Sequence, residues 1–429
     1  MVVKASPTFE EQAQILRHKV PRLIVKQEYR FPVLITTLNS TSRRSGREDA
    51  TLTRGWKVAR VQTLKEPSND PFPMRTPPGT RLKVAVLAAT GMVGQRYVSM
   101  LSNHPYFRVA TVTGQSNVGR RYGQVASTGA LPISKEVQNL PVKPTSPEAL
   151  ADADLVFSPL PTDAAESLEP TLVRAGYNVI TDASPHRMDV LVPLIVPEVN
   201  PSHLTLVSLQ KAKGWKGSLV ATPNCTAAGL ALVLKPIHES LGLRRAVVST
   251  MQAVSGAGYP GVPSLDILDN VIPYIKDEED KVETEPLKML GEVAGGRVNP
   301  ARFRISAMVH RVATTDGHLE SMYVETEERF EPARVSALLS HFRGEPQKLG
   351  LPTAPAEPII IAKDEARPQP RLDRYAGTVP GMSVVVGRIR NGLDSKSGRL
   401  TLLSHNTIRG AAGSTILTAE LMYRKGLLG

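Results

Sequence analysis

Cys225 is the only cysteine in 429 residues. A single thiol excludes an intramolecular disulfide and a metal site built from cysteines, and no metal is expected. Two fates remain open: the inert, buried small hydrophobe that a free cysteine commonly is, or a nucleophile. Its surroundings favour the second. Residues 217–221 (Gly-Ser-Leu-Val-Ala) read as a short buried strand and residues 227–234 as the apolar face of a helix. Ala221-Thr222-Pro223-Asn224-Cys225-Thr226 is then a strand-to-helix turn that puts the sulfur on the first helical turn. There the unpaired N–H groups and the helix dipole favour an anion, which lowers a thiol's pKa. The same N–H groups could hold an oxyanion once the sulfur has attacked a carbonyl.

A thiol nucleophile needs a group that handles protons. Arg311-Val312-Ala313-Thr314-Thr315-Asp316-Gly317-His318 joins two strand-like runs, and a histidine after Asp-Gly is expected on a turn. From a turn its imidazole can project into a cleft, and with a pKa of about 7 it can exchange protons with a thiol or an oxyanion. Arg311 could clamp a substrate carboxylate with two parallel hydrogen bonds. A loop histidine is also an ordinary surface residue, and His186, His310 and His405 compete for the same role.

The elements that must position these groups follow from the apolar pattern. Residues 82–88 read as a buried parallel strand, and Ala89-Thr90-Gly91-Met92-Val93-Gly94-Gln95-Arg96 turns from it into a helix reaching about residue 102. Gly91 and Gly94 fit a dinucleotide turn, in which glycine lets the backbone approach a pyrophosphate at a helix N-terminus. Ala88 stands where the first glycine belongs, and two glycines of three also fit a purely structural turn. Residues 108–113 give a second strand. Gly114-Gln115-Ser116-Asn117 after it offers no carboxylate for a ribose 2′-hydroxyl, while Arg120 and Arg121 follow within reach of a 2′-phosphate or simply decorate an exposed loop. Strands at 154–158 and 177–181, with a helix over 163–175 between them, continue a βα alternation that implies an open parallel sheet with its ligand crevice at the strand C-termini. From residue 244 strands dominate, at 247–254, 303–312, 319–326 and 382–389, with a helix over 332–342 and another, rich in small residues, after Asn406. The expected fold class is α/β: a Rossmann-type dinucleotide-binding domain over 81–224, completed by a C-terminal helix at 406–428, plus an α+β catalytic and dimerisation domain over 225–405.

Composition narrows the function. A 41% hydrophobic and 21% charged chain is globular, and 5% aromatic residues leave little to stack nucleic-acid bases. The net charge of +12 is uneven: residues 1–80 hold 14 basic and 7 acidic residues, and the remainder carries only +5. That remainder suits anionic substrates better than DNA. Residues 1–80 lack periodicity and read as a disordered basic extension, in which Arg43, Arg44 and Arg47 could be a targeting or nucleic-acid patch. Glu10, Glu11 and Glu28 count against a transit peptide, and the proline-rich 71–79 reads as a linker with the working start near Met74. No apolar run approaches the roughly 18–20 residues that cross a bilayer, and a cytoplasmic protein is expected.

In combination, the 89–96 turn, Asn224-Cys225-Thr226, the run from Met251 to Gly261, Asp316-Gly317-His318 and His405-Asn406-Thr407-Ile408-Arg409-Gly410-Ala411-Ala412-Gly413 resemble the aspartate-β-semialdehyde dehydrogenases of fungi and archaea. The resemblance covers residues 81–428. It implies reductive dephosphorylation of aspartyl phosphate to aspartate semialdehyde through a cysteine thioester, in amino-acid biosynthesis. Cys225 would be the nucleophile, His318 the general acid/base, and Gln252 would orient the substrate. Arg311 would bind the substrate carboxylate, and Glu285, Lys288, Arg187 and Asn224 would meet its amino group and phosphate. Thr90, Gly91, Met92, Val93, Gly94, Ser255, Gly256 and Asn406 would hold NADP. Gly114 and Ser116 replace a serine and an arginine that members often place at the 2′-phosphate, so NAD stays open. The resemblance further implies a homodimer or homotetramer, with 260–275 as interface material. Two other readings stand beside it: a related acyl reductase such as a malonyl-CoA reductase, and a non-catalytic NADP-binding sensor.

Overall fold

The computed structural model of the chain describes residues 79–127 and 132–428. The basic extension, its linker and Met74 lie outside the described residues, apart from Gly79 and Thr80. No helix among the described residues is long and apolar enough to cross a membrane.

The first sheet has six parallel strands: β1 (Leu82–Val86), β2 (Phe107–Thr113), β3 (Val142–Lys143), β4 (Leu155–Ser158), β5 (Asn178–Thr181) and β6 (Ser218–Ala221). Their order is β3-β2-β1-β4-β5-β6. Every residue of β4 and β6 is buried, as expected where helices cover both faces of a parallel sheet. The order reverses between β1 and β4, which opens a crevice at the strand C-termini. Helix α1 (Met92–Leu101) follows β1, and α2 (Thr162–Ala175) joins β4 to β5. β1 ends at Val86, two residues short of the expected boundary, because Ala88 turns the chain with a left-handed φ of 43°.

The second sheet is mixed. It comprises β7 (Leu243–Gln252), β8 (Val271–Ile272), β11 (Arg304–Val312), β12 (His318–Thr326), β13 (Ile359–Ile361), β14 (Val384–Asn391) and β15 (Ser397–Ser404), in the order β13-β14-β15-β12-β7-β11-β8. A separate hairpin, β9 (Glu292–Ala294) and β10 (Arg297–Asn299), lies outside it. β11 alternates strictly, with Ile305, Ala307 and Val309 buried and Arg304, Ser306 and Met308 exposed. One face therefore packs while the other stays open, the usual state of a sheet rich in antiparallel pairs. The α/β organisation expected from the sequence is the one observed.

Helix α3 (Cys225–Leu241) is apolar throughout residues 227–234, and twelve of its seventeen residues are buried. A helix of that composition belongs in an interior. It shares one core with Val179 and Leu219 of the first sheet and with Val248 and Leu402 of the second. Helices α4 (Glu278–Met289) and α5 (Pro332–His341) pack beside it. The last helix, α6 (Gly413–Arg424), is buried from residue 413 to 422 and joins Val86, Phe157 and Ile180 of the first sheet in a second core.

Candidate active site

The sulfur sits where the sequence puts it. Cys225 is the first residue of α3, directly past the C-terminal end of β6. Asn224 caps the helix: its side-chain oxygen accepts from the N–H groups of Thr226 (2.9 Å) and Ala227 (3.2 Å). Its amide nitrogen donates to the Glu278 carboxylate at 3.0 Å, and its own N–H donates to Glu285 at 2.6 Å. Two expectations are corrected here. The thiol is not acidified: burial, and next the negative charge of Glu278, push it up to about 12, against the smaller opposing pull of Arg311 and Arg187. Of the first-turn N–H groups that were to hold an anion, those of Thr226 and Ala227 donate to the cap, and Thr226 N–H still exerts a small lowering pull on the thiol. Asn224 thus works as an organiser of the turn, with its side chain bonded on both sides.

His318 lies beside the sulfur, Nε2 to Sγ 3.2 Å. It is the first residue of β12 rather than a turn residue, and it is fully buried. The expected pKa of about 7 therefore does not hold. Burial, with the positive charge of Arg311 adding to it, lowers the imidazole to about 3. Three strand ends converge at this point. β7 and β11 run parallel and finish with Gln252 opposite Arg311, while antiparallel β12 starts beside them. Gln252 donates to Thr250 Oγ1 at 3.3 Å, and Arg311 to the Ala253 carbonyl at 2.7 Å. The N–H of Ala253 donates to His318 Nδ1 at 3.1 Å. Gly256 has no room for a side chain: a Cβ there would stand 2.7 Å from the Arg311 guanidinium. The 254–256 turn is held by Val254 N–H on Thr314 O and Ser255 N–H on Thr315 O. Asn406 closes it, donating to Ser255 Oγ (2.8 Å) and accepting from Gly317 N–H (2.9 Å). The other histidines lie elsewhere: His186 pairs with Asp189, His310 bonds the Thr250 carbonyl, and His405 packs on Tyr375.

A second group of polar residues adjoins Asn224. Arg187 donates to Glu285 (3.0 Å) and to the Asp182 carbonyl (2.5 Å). Glu285 is fully engaged, one oxygen on Arg187 and the other on Asn224 N–H, so its carboxylate is not free for an amino group as expected. Lys288 departs further from expectation. Its ammonium donates to the carbonyls of Arg187 (2.7 Å), Asp189 (2.9 Å) and Val192 (2.9 Å). An ammonium has three protons, and all three hold the 187–192 loop in place.

The dinucleotide turn keeps its donors open. Gly91 caps α1 with no side-chain hydrogen bond, and the N–H groups of Met92, Val93 and Gly94 belong to the first turn, which has no intrahelical acceptor. Gly94 permits the turn, since a Cβ there would lie 2.3 Å from the Ala88 carbonyl oxygen. Thr90 is fixed through its carbonyl by Gln95 Nε2 (2.8 Å). These features fit a bound pyrophosphate. Past β2, Arg120 and Arg121 are exposed, and their guanidinium groups donate to Asn117 and Asn139. Two contacts tie α1 to the site: Arg96 to Asp316 at 3.3 Å, and Tyr97 to Asp182 at 2.5 Å. Asp182 also accepts from Thr415 (2.7 Å), and burial raises its carboxyl to about 6.

Three contributors escaped the sequence reading. Glu278, inside the acidic run Asp277 to Asp280, is buried against Asn224 and Thr226. The Ala253 amide carries no sequence signal. Gly410 lies so close to the nucleophile that a Cβ would stand 2.6 Å from Cys225 Cβ; its place in a glycine- and alanine-rich run was the available hint.

Known proteins share this architecture. The family description "Semialdehyde dehydrogenase, NAD binding domain" matches residues 83–207, and "Semialdehyde dehydrogenase, dimerisation domain" matches 234–409. The aspartate-semialdehyde dehydrogenase of Methanothermobacter thermautotrophicus is 47% identical over 80% of this chain and 99% of its own. The malonyl CoA reductase (NADP) of Metallosphaera sedula is 45% identical over 81% of this chain and 98% of its own. Among solved structures, the aspartate semialdehyde dehydrogenase with NADP from Candida albicans aligns with a TM-score of 0.74 at 36% identity, covering 81% of this chain and 100% of that one.

Proposed function

This chain belongs to the semialdehyde dehydrogenase family, and from that premise we propose that it converts 4-aspartyl phosphate to aspartate 4-semialdehyde as an NADP-dependent aspartate-semialdehyde dehydrogenase. The observation that carries the reading is the 3.2 Å contact between Cys225 Sγ and His318 Nε2 at the meeting point of the two sheets. Cys225 attacks the acyl carbon, and phosphate departs toward Arg187. The resulting thioester is a far better hydride acceptor than a carboxylate. Thr90 to Gly94, Ser255, Gly256 and Asn406 would hold the dinucleotide, which would supply that hydride. His318 faces the sulfur and the oxygen that becomes the aldehyde. Arg311 takes the substrate carboxylate and Gln252 orients the acyl group from the adjacent strand end. Arg120 and Arg121 favour NADP over NAD.

The domain division at 224/225 goes with this reading, the nucleophile standing at the junction of the dinucleotide half and the catalytic half. So does a cytoplasmic homodimer or homotetramer, supported by the exposed Tyr259, Leu265, Leu268, Val271 and Tyr274 beside the open edge of the second sheet. The testing experiment is phosphate-dependent reduction of NADP by aspartate semialdehyde, with NAD in parallel. Cys225→Ala should abolish turnover, by at least about 10⁴-fold, with the circular dichroism unchanged. The 45% identity to a malonyl CoA reductase favours one second reading, and Glu285 and Lys288, bonded within the protein, do not exclude it. Oxidation of NADPH by malonyl-CoA without activity on the semialdehyde would establish that reading instead.

A further inference from the structure

The turn that carries Arg187 has neighbours that the reaction above does not use. Between the last turns of α2, residues 186–189 and the 214–216 segment leading into β6 lies a cavity of about 540 Å³, within the roughly 300–1,000 Å³ usual for small-molecule sites. Val173 and Leu219, both core residues, and the half-buried Trp215 give it an apolar lining. Arg174 and Lys216 line it as exposed cations. Arg174 donates to Thr171 Oγ1 at 3.0 Å, and neither cation pairs with a carboxylate among the described residues. The acid that lines the cavity, Asp189, is already the partner of His186 at 3.0 Å. An apolar interior beside two unpaired cations selects an anion with an apolar body. A carboxylate binds a guanidinium through charge-assisted hydrogen bonds, and the indole offers a flat apolar face.

We propose that this cavity binds a small carboxylate carrying an aromatic or branched apolar body, and that its occupancy is coupled to anion binding at Arg187. The second half of the proposal rests on the phosphate role given to Arg187 above; the first half does not.

The coupling follows from how the turn is built. His186 and Asp189 line the cavity, while Arg187 between them bonds Glu285 (3.0 Å) and the Asp182 carbonyl (2.5 Å). Arg187 N–H donates to Ser184 O and Asp189 N–H to His186 O, both at 3.2 Å. Lys288 holds the carbonyls of Arg187 and Asp189 on one ammonium. The residues that would touch a ligand and the residue that meets phosphate therefore belong to one turn and shift together. The His186 ring is its adjustable member. Nδ1 is bonded to Asp189, Nε2 is buried without a hydrogen-bond partner, and so the contents of the cavity decide how the ring packs. A ligand resting on His186 and Asp189 changes the free energy of the turn. By linkage, an anion at Arg187 then changes the ligand's affinity by the same factor as the ligand changes the anion's.

The chain has two tryptophans, Trp56 and Trp215, so the full chain carrying Trp56→Phe reports the cavity through the fluorescence of Trp215. The probe is phenylpropionate, with phenylpropanamide as its uncharged isostere. A saturable change in Trp215 emission with a millimolar or lower Kd is expected for the acid, and the amide should bind about tenfold or more weaker. Arg174→Gln combined with Lys216→Gln should weaken the acid by about tenfold or more and leave the amide unchanged. No saturable response, equal binding of acid and amide, or undiminished binding of the acid to the double variant overturns the site. For the coupling, the acid is titrated with and without inorganic phosphate at constant ionic strength. A change in its Kd of about fivefold or more, absent in Arg187→Gln, is expected. An unchanged Kd, or a change that persists in Arg187→Gln, overturns the coupling. These titrations use neither aspartate semialdehyde nor NADP, so the site can fail while the dehydrogenase reading holds, and the reverse.

Discussion

Two helices of this molecule start at the same edge of the same parallel sheet, and their first turns differ. α1 begins after Gly91, whose missing side chain leaves the first N–H groups open toward the crevice. α3 begins after Asn224, whose side chain takes two of those N–H groups for itself. Two helix starts at one sheet edge therefore differ: one leaves its first donors open and the other caps two of them with a side chain. The capping residue, more than the helix dipole, decides which. The thiol on α3 is not the acidic group that its position predicts, because burial first and the charge of Glu278 next hold it up.

The comparison can be broken first at α1. Gly94→Ala drives a Cβ to 2.3 Å from the Ala88 carbonyl, a backbone overlap beyond ordinary overpacking. It should cost roughly 3 kcal/mol or more and abolish dinucleotide binding, measured by calorimetric titration and thermal unfolding. Next comes the tie between α1 and the sheet. The Asp182 carboxyl is raised from 3.8 to about 6 by burial, so the folded state binds its proton more tightly than the unfolded state does. Its stabilising share is full below about pH 4 and is lost as pH rises through 6. Asp182→Asn should therefore gain on the wild type between pH 4 and 6, by no more than about 3 kcal/mol, in a series of denaturant titrations. Third, Asn224→Ala returns two N–H groups to the start of α3. It should lower stability by about 1–2 kcal/mol while speeding Cys225 alkylation; an unchanged alkylation rate would mean that the cap does not govern the thiol. The smallest effect is at Ala88, whose φ of 43° is costly for any residue but glycine. Ala88→Gly should stabilise the fold by about 1 kcal/mol, visible as a higher Tm.

Local signals account for what the sequence made legible. Strand–turn–helix order, Gly91 and Gly94 located the dinucleotide turn, and Asn224-Cys225 located the nucleophile, because each is set within a few residues. The surroundings of Lys288 were hidden for the opposite reason. Its three acceptors lie 96 to 101 residues away, and only the folded chain shows the carbonyls that its ammonium holds. His318 was found as a residue but not as an environment: Asp-Gly indicated a turn, while the folded chain buries the ring at the start of β12 and lowers its pKa by that burial. Glu278 hid in an acidic run because composition cannot distinguish the one carboxylate that turns inward.

The contact between Gly410 and Cys225 has a bearing on synthesis. The nucleophile is translated 185 residues before the backbone that presses against it. A chain that has not yet reached residue 410 leaves the thiol with no wall on that side, so the sulfur's surroundings are completed by a segment made long after it.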